Sequence, residues 1–155
     1  MKTKTKEEVR LNNQLLKELK IEIENLEVLE QVNIAADTKD IRILEILSHN
    51  GNKYVKEGVA KNPLTTSDIL EQLVINNGSL VQLAISERKD LRAEVVIEII
   101  RRGNDTVRKE ILETAKICLE NLKEYLKAYP KKDIFTVSNN NKISTLETFI
   151  KKSGE

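Results

Sequence analysis

The stretch VKEGVAKNPLTTSDILEQL, residues 55–73, constrains the fold more than any other feature of the chain. It carries two apolar patterns at helical spacing. Val55, Val59 and Ala60 precede a break, and Ile69, Leu70 and Leu73 come after it. Asn62-Pro63 makes the break, because the residue before a proline is pushed out of the helical region. Thr65 and Asp68 then stand three apart before the second apolar run, a capping-box spacing with Asp in place of Glu or Gln. A pair of such short helices cannot bury its apolar faces alone, whereas neighbouring pairs can bury each other's.

The rest of the chain supplies such neighbours. Apolar residues between 11 and 29 mark one helical face, with a short break near Asn25. Residues 41–47 read as a helix stopped by HNGN, and Asn52 as the N-cap of a helix from 53 to about 60. Further helices are expected near 80–85 and 91–101, the latter ended by Gly103 in the left-handed C-cap position. A long helix over 106–129 carries a stripe of Ile111, Ala115, Cys118, Leu122, Tyr125 and Tyr129. Residues 1–10 read as a charged, flexible N-terminus and 130–155 as a loop with a short terminal helix. The chain is thus expected to form one helical repeat domain over 1–155, with its repeat core at 30–105.

The units fall into register when Ala60 is laid on Ala84 and Ala36, an offset of 24 residues. The turn residues Asn52 and Asn76 then coincide. A longer step carries Asn76 to Asn104 and Ala84 to Leu112. Chance similarity among the helices of a closed bundle is the alternative. The clearest unit, through Val55, Lys56, Val59, Ala60, Asn62, Pro63, Thr65, Ile69, Leu70 and Leu73, resembles the variant leucine-rich repeat. That family is an alpha solenoid similar to HEAT and armadillo repeats. The resemblance covers about residues 26–112 and implies an all-α, right-handed alpha-alpha superhelix with longer capping helices. In that family a unit pairs an α-helix with a short 3₁₀ helix. Some members carry an iron–sulfur cluster on added cysteines, which this chain lacks, so no cofactor is implied.

Composition narrows the function classes. Lys plus Arg number 26 against 25 Asp plus Glu, so net charge selects no partner. Cys118 is the only cysteine and His49 the only histidine, which excludes an internal disulfide and any cysteine- or histidine-clustered metal site. The charged start has no apolar core of signal-peptide length and no window approaches a membrane span, so a cytoplasmic protein without membrane partners is expected.

No residue stands out as catalytic. Asp37, Asp40, Asp68 and Asp90 fall near expected helix starts, where carboxylates meet free amides. Neither they nor Glu71 and Glu87 form a diagnostic pair. Cys118 on an apolar stripe reads as a buried small hydrophobe, and His49 as a surface residue near a helix end. Arg101, Arg102, Lys109, Lys116, Lys123 and Lys127 form a basic ridge, although glutamates interleave with it. There is no glycine-rich phosphate loop, nucleophile elbow or aromatic stacking platform. The expectation is a non-catalytic module that binds a protein or peptide, with nucleic-acid binding along the ridge as the alternative. The repeat positions themselves, Ala36, Asn52, Val55, Val59, Ala60, Asn62, Pro63, Thr65, Leu73, Asn76 and Ala84, are assigned structural roles.

Overall fold

In the computed structural model of the chain, residues 4–130 and 134–154 are described. Among them every regular element is an α-helix: α1 Lys6–Glu24, α2 Val28–Asp37, α3 Ile41–Asn50, α4 Lys53–Lys61, α5 Ser67–Asn76, α6 Ser79–Ser86, α7 Ala93–Arg102, α8 Asp105–Ala128 and α9 Ile134–Ser153. None is long and apolar enough to cross a membrane. The chain divides into two compact units, residues 1–65 and 66–155.

Each unit is built on one packing rule. In the first, α1 packs on α3 and α2 on α4, and α3 also lies against both α2 and α4. In the second, α5 packs on α7, α6 on α8 and α7 on α9, with α8 against both α7 and α9. Within each unit a helix therefore meets the helix two places on, and most also meet a chain neighbour. This is the stacking of helix pairs expected of short amphipathic segments that must share their apolar faces.

The pairs recur with a period of 26, the same separation that joins Asn62 to the Ala36 carbonyl. Helices α3, α5 and α7 begin at 41, 67 and 93, and α4, α6 and α8 at 53, 79 and 105. The core keeps the same step: Leu44, Leu70 and Val96, then Leu47, Leu73 and Ile99, then Val55, Val81 and Val107, then Val59, Ile85 and Ile111, all buried. The expected offset of 24 is off by two residues, which turns a helix by about 200°. Ala84 is buried, but the true counterpart of Val59 is Ile85, and Leu83 is only half-buried. Helix α2 starts one position closer to α4 than the period requires, so Ala35 matches Ala60 and is buried, while Ala36 is exposed.

Local chemistry sets the boundaries. Asn52 and Asn104 cap α4 and α8, their Oδ1 atoms accepting from Val55 and Val107 N–H at 3.1 Å. Thr66 rather than Thr65 caps α5, accepting from the Ile69 N–H. The Thr65 hydroxyl is buried and donates to the Val59 carbonyl at 2.5 Å. Gly103 keeps an extended conformation, φ −66°, instead of a left-handed one. Its reason is space: a Cβ there would lie 2.7 Å from the Ile99 carbonyl and 2.8 Å from Val107 Cγ1. Gly51, two periods earlier, is hemmed in the same way by Leu47 and Val55.

The ends depart from the sequence reading. Helix α1 starts at Lys6, inside the segment read as flexible, because Thr5 and Glu8 close a reciprocal capping box. Residues 1–3, 131–133 and 155 lie outside the described residues. Residues 134–153, read as loop and short helix, form the 20-residue α9, whose Leu146 and Phe149 are buried. The asparagine run 139–141 reads as loop, yet it lies within this helix, with Asn140 and Asn141 exposed. The paired elements are all α-helices, with no 3₁₀ helix among the described residues.

Candidate interaction surfaces

Two sets of polar side chains close the gaps between stacked helices. The first stands at the ends of α2 and α4. Asn62, at the C-cap of α4 and 2% exposed, donates through Nδ2 to the carbonyls of Ala35 at 2.9 Å, Thr38 at 2.9 Å and Ala36 at 3.2 Å. Its Oδ1 accepts from the Leu64 N–H at 2.9 Å. Helix termini leave carbonyls without partners, and Asn62 serves those of α2 while turning its own chain into Pro63. These bonds join the C-terminal ends of α2 and α4, so the two packed helices run in the same direction. Gly58 permits their approach, since its Cβ would stand 3.1 Å from that of Ala35.

The second set stands at the fourth residue of the even-numbered helices. Gln31 donates through Nε2 to the carbonyls of Ile23 and Leu26, and Gln82 to those of Val74 and Asn77, each at 3.1 Å. Arg108 holds the same place in α8 and donates through Nε to the Ile100 carbonyl at 3.0 Å. Lys56 is the counterpart in α4 and makes no such bond among the described residues. Neither set comes from apolar periodicity; the visible signal is Asn62-Pro63 for the first and, for the second, a polar residue at a fixed distance after each even-numbered helix start.

The basic ridge is largely neutralised. Arg101 and Arg102 share Glu98 at 2.8 and 2.9 Å, Lys116 meets Glu113 at 2.6 Å, and Lys123 meets Glu147 of α9 at 2.6 Å. The Arg102 guanidinium, seconded by Arg101, holds the Glu98 carboxyl below its ordinary range against the opposing effect of burial. Lys109 and Lys127 alone of the six have no carboxylate partner among the described residues.

The acidic residues take structural places. Asp40 caps α3 and grips Arg42, whose hydrogen bonds lower its pKa. Asp90 is lowered in the same way by Arg88. Asp68 sits in the first turn of α5, but Asp37 closes α2 and Glu87 is the C-cap of α6. His49 lies in the last turn of α3 with Nδ1 2.9 Å from the Glu45 carbonyl. Cys118 is buried and donates to the Leu91 carbonyl at 3.5 Å, and burial with the nearby Glu94 charge pushes its thiol pKa up. Among the described residues no group of three or more His, Cys, Asp or Glu side chains gathers at metal-binding distance.

One exposed feature recurs from helix to helix. Leu29, Tyr54 and Leu80 are each the second residue of an even-numbered helix, and they are 72%, 53% and 38% exposed. Lone exposed apolar residues are ordinary on protein surfaces. Leu29 and Tyr54 are not isolated in this sense, because they stand in the first turns of α2 and α4, which lie side by side and run in the same direction. Leu80 holds the same place in α6 of the second unit. The Lys53 ammonium rests 5.0 Å from the Tyr54 ring centre, so that exposed ring has a cation beside it. No protein-family model matches the chain, and no curated protein or solved structure matches it.

Proposed function

We propose that this chain is a non-catalytic protein-interaction module: a short, right-handed alpha-alpha solenoid of the HEAT-like or variant leucine-rich-repeat kind. Residues 55–73 carry the likeness to the latter, and the all-α pairs are nearer the former. The observation that supports a binding role is the pair of exposed apolar side chains, Leu29 and Tyr54, on the adjoining first turns of α2 and α4. Leu80 repeats the feature in α6. Apolar side chains there do nothing for the core, and their burial by a partner contributes roughly 1.5–3 kcal/mol for each one fully covered. A partner helix or extended segment crossing the first turns of α2 and α4 covers both. The mechanism is surface complementarity, with no bond made or broken.

Nucleic-acid binding along the C-terminal ridge is the weaker reading, because four of its six cations already meet carboxylates. A photo-crosslinking amino acid placed at Leu29, at Tyr54 and, as control, at exposed Glu124 of α8 tests the proposal in the native cell. The expected result is one common protein adduct from Leu29 and Tyr54 that is missing from Glu124. Adducts at all three positions alike, or at none, contradict it.

A further inference from the structure

The groove between α8 and α9 is where the repeat ends and a helix outside the register takes over. It encloses about 850 Å³ and is lined by the first two turns of α8, the end of α7 and the last turns of α9. Its apolar wall is Ile100, Leu112 and Phe149. Its charged residues are Arg108, Lys109 and Lys152 against Asp105. Three cations against one carboxylate leave an excess of two positive charges.

Arg108 is the informative residue. At its place in their own helices, Gln31 and Gln82 serve the preceding helix with a neutral amide. A glutamine at 108 would repeat the arrangement of Gln31 and Gln82. Arginine makes the same kind of backbone bond through Nε and thereby fixes its guanidinium plane at the groove. Its remaining N–H groups take no other hydrogen bond among the described residues, and the nearest carboxylate oxygen, on Asp105, is 3.9 Å from Nη1. That carboxylate is 96% exposed and pairs weakly. A planar fork held in place, with unused donors, is the arrangement that recognises a phosphate or carboxylate with two parallel bonds. Lys109 and Lys152 bring two further ammonium groups without carboxylate partners among the described residues.

We propose that this groove binds a phosphate monoester carried on a small apolar body. The dianionic phosphate sits among Arg108, Lys109 and Lys152 and matches their excess charge. The body lies on Ile100, Leu112 and Phe149. The volume suits a small molecule, whose sites span roughly 300–1000 Å³. A nucleic-acid phosphate, with one charge and a neighbour on either side, fits the groove less well.

The test is an NMR titration of the full chain with phenyl phosphate, with inorganic phosphate and a phosphotyrosine peptide as further arms. Saturable shifts confined to amides around residues 100, 105–112 and 144–153 are expected. Arg108→Gln keeps the backbone bond by imitating Gln31 and Gln82, so its melting temperature should hold. It should weaken phenyl phosphate about tenfold or more, the scale of one charge-assisted hydrogen bond. Lys152→Gln should weaken it less, and Lys127→Gln, outside the groove, not at all. Absence of saturable shifts, or equal affinity in Arg108→Gln, overturns the site. Inorganic phosphate binding as tightly as phenyl phosphate overturns the role of the apolar wall. A peptide that binds more than about tenfold tighter than phenyl phosphate overturns the small-ligand assignment.

Discussion

Asn62 and Thr114 stand two periods apart in the register and bridge the same kind of gap with different strength. Asn62 reaches three carbonyls beyond the end of its own helix. Thr114 sends one hydrogen bond of 3.4 Å to the Arg88 carbonyl, and Cys118 adds a weak one to Leu91. The helices explain the difference. α4 ends at Lys61, so residue 62 is free to turn the chain and a branched amide can serve both jobs. α8 continues to Ala128, so residue 114 lies inside a helix, where Asn competes with the backbone and is disfavoured. The register fixes where a bridging group stands; the local end of the helix decides how much it can do. α8 packs on α9 as well as on α6 and α7, and its Lys123 pairs with Glu147.

Asn62→Ala is expected to be the most damaging single change, at about 3 kcal/mol, because it strips three carbonyls, that of buried Ala35 among them, and the Leu64 N–H of a partner together. Urea unfolding of the two variants breaks the comparison if Thr114→Val, expected at about 1 kcal/mol, costs as much. Between these values lie Gly51→Ala and Gly103→Ala, where the new methyl group overpacks the joint by about 1–3 kcal/mol. Their near-identical surroundings predict losses equal to within about 0.5 kcal/mol, and a larger gap would show that the two joints are not equivalent.

Smaller effects sharpen the picture. The lowered pKa of Glu98 means its pairs stabilise the fold above the ordinary glutamate value of 4.5, and that this contribution is lost as pH falls through the lowered folded value. Glu98→Gln should therefore reduce the melting temperature at pH 7 and make little difference at about pH 2. A variant gap that widens toward acid would reverse the sign and refute the pairing. Gly78, the N-cap of α6, has open space where Asn52 and Asn104 carry capping side chains. Gly78→Asn should raise stability by a few tenths of a kcal/mol, seen as a small rise in melting temperature.

Much of the helix order was legible because the punctuation is strong. Asn52, Asn62-Pro63 and Asn104 mark boundaries that the structure keeps within a residue or two. The register was not legible, because apolar pairs such as Val59-Ala60 and Leu83-Ala84 look alike in sequence. Only burial shows that Ile85, and not Leu83, faces inward fully. α9 hid behind its asparagines and a weak apolar stripe; its helix depends on packing against α7 and α8. Of the surface features, the six ridge cations were visible as a pattern, but their neutralisation by Glu98, Glu113 and Glu147 depends partly on a helix that the pattern did not announce. Arg108 could be singled out only once the helix starts aligned it with Gln82.

One 26-residue unit should be interchangeable with the next inside the second unit. Repeating residues 67–92 once more after Arg92 inserts a further α5–α6 pair ahead of α7 and keeps every later position there in register. Thermal unfolding measured by circular dichroism should show a more helical protein whose unfolding stays cooperative. Repeating only 69–92 leaves the insertion two residues short, misaligns α7 and α8 by about 200° and should abolish the cooperative unfolding of that unit. Failure of the 67–92 insertion to fold, or equal behaviour of the two insertions, would refute that equivalence.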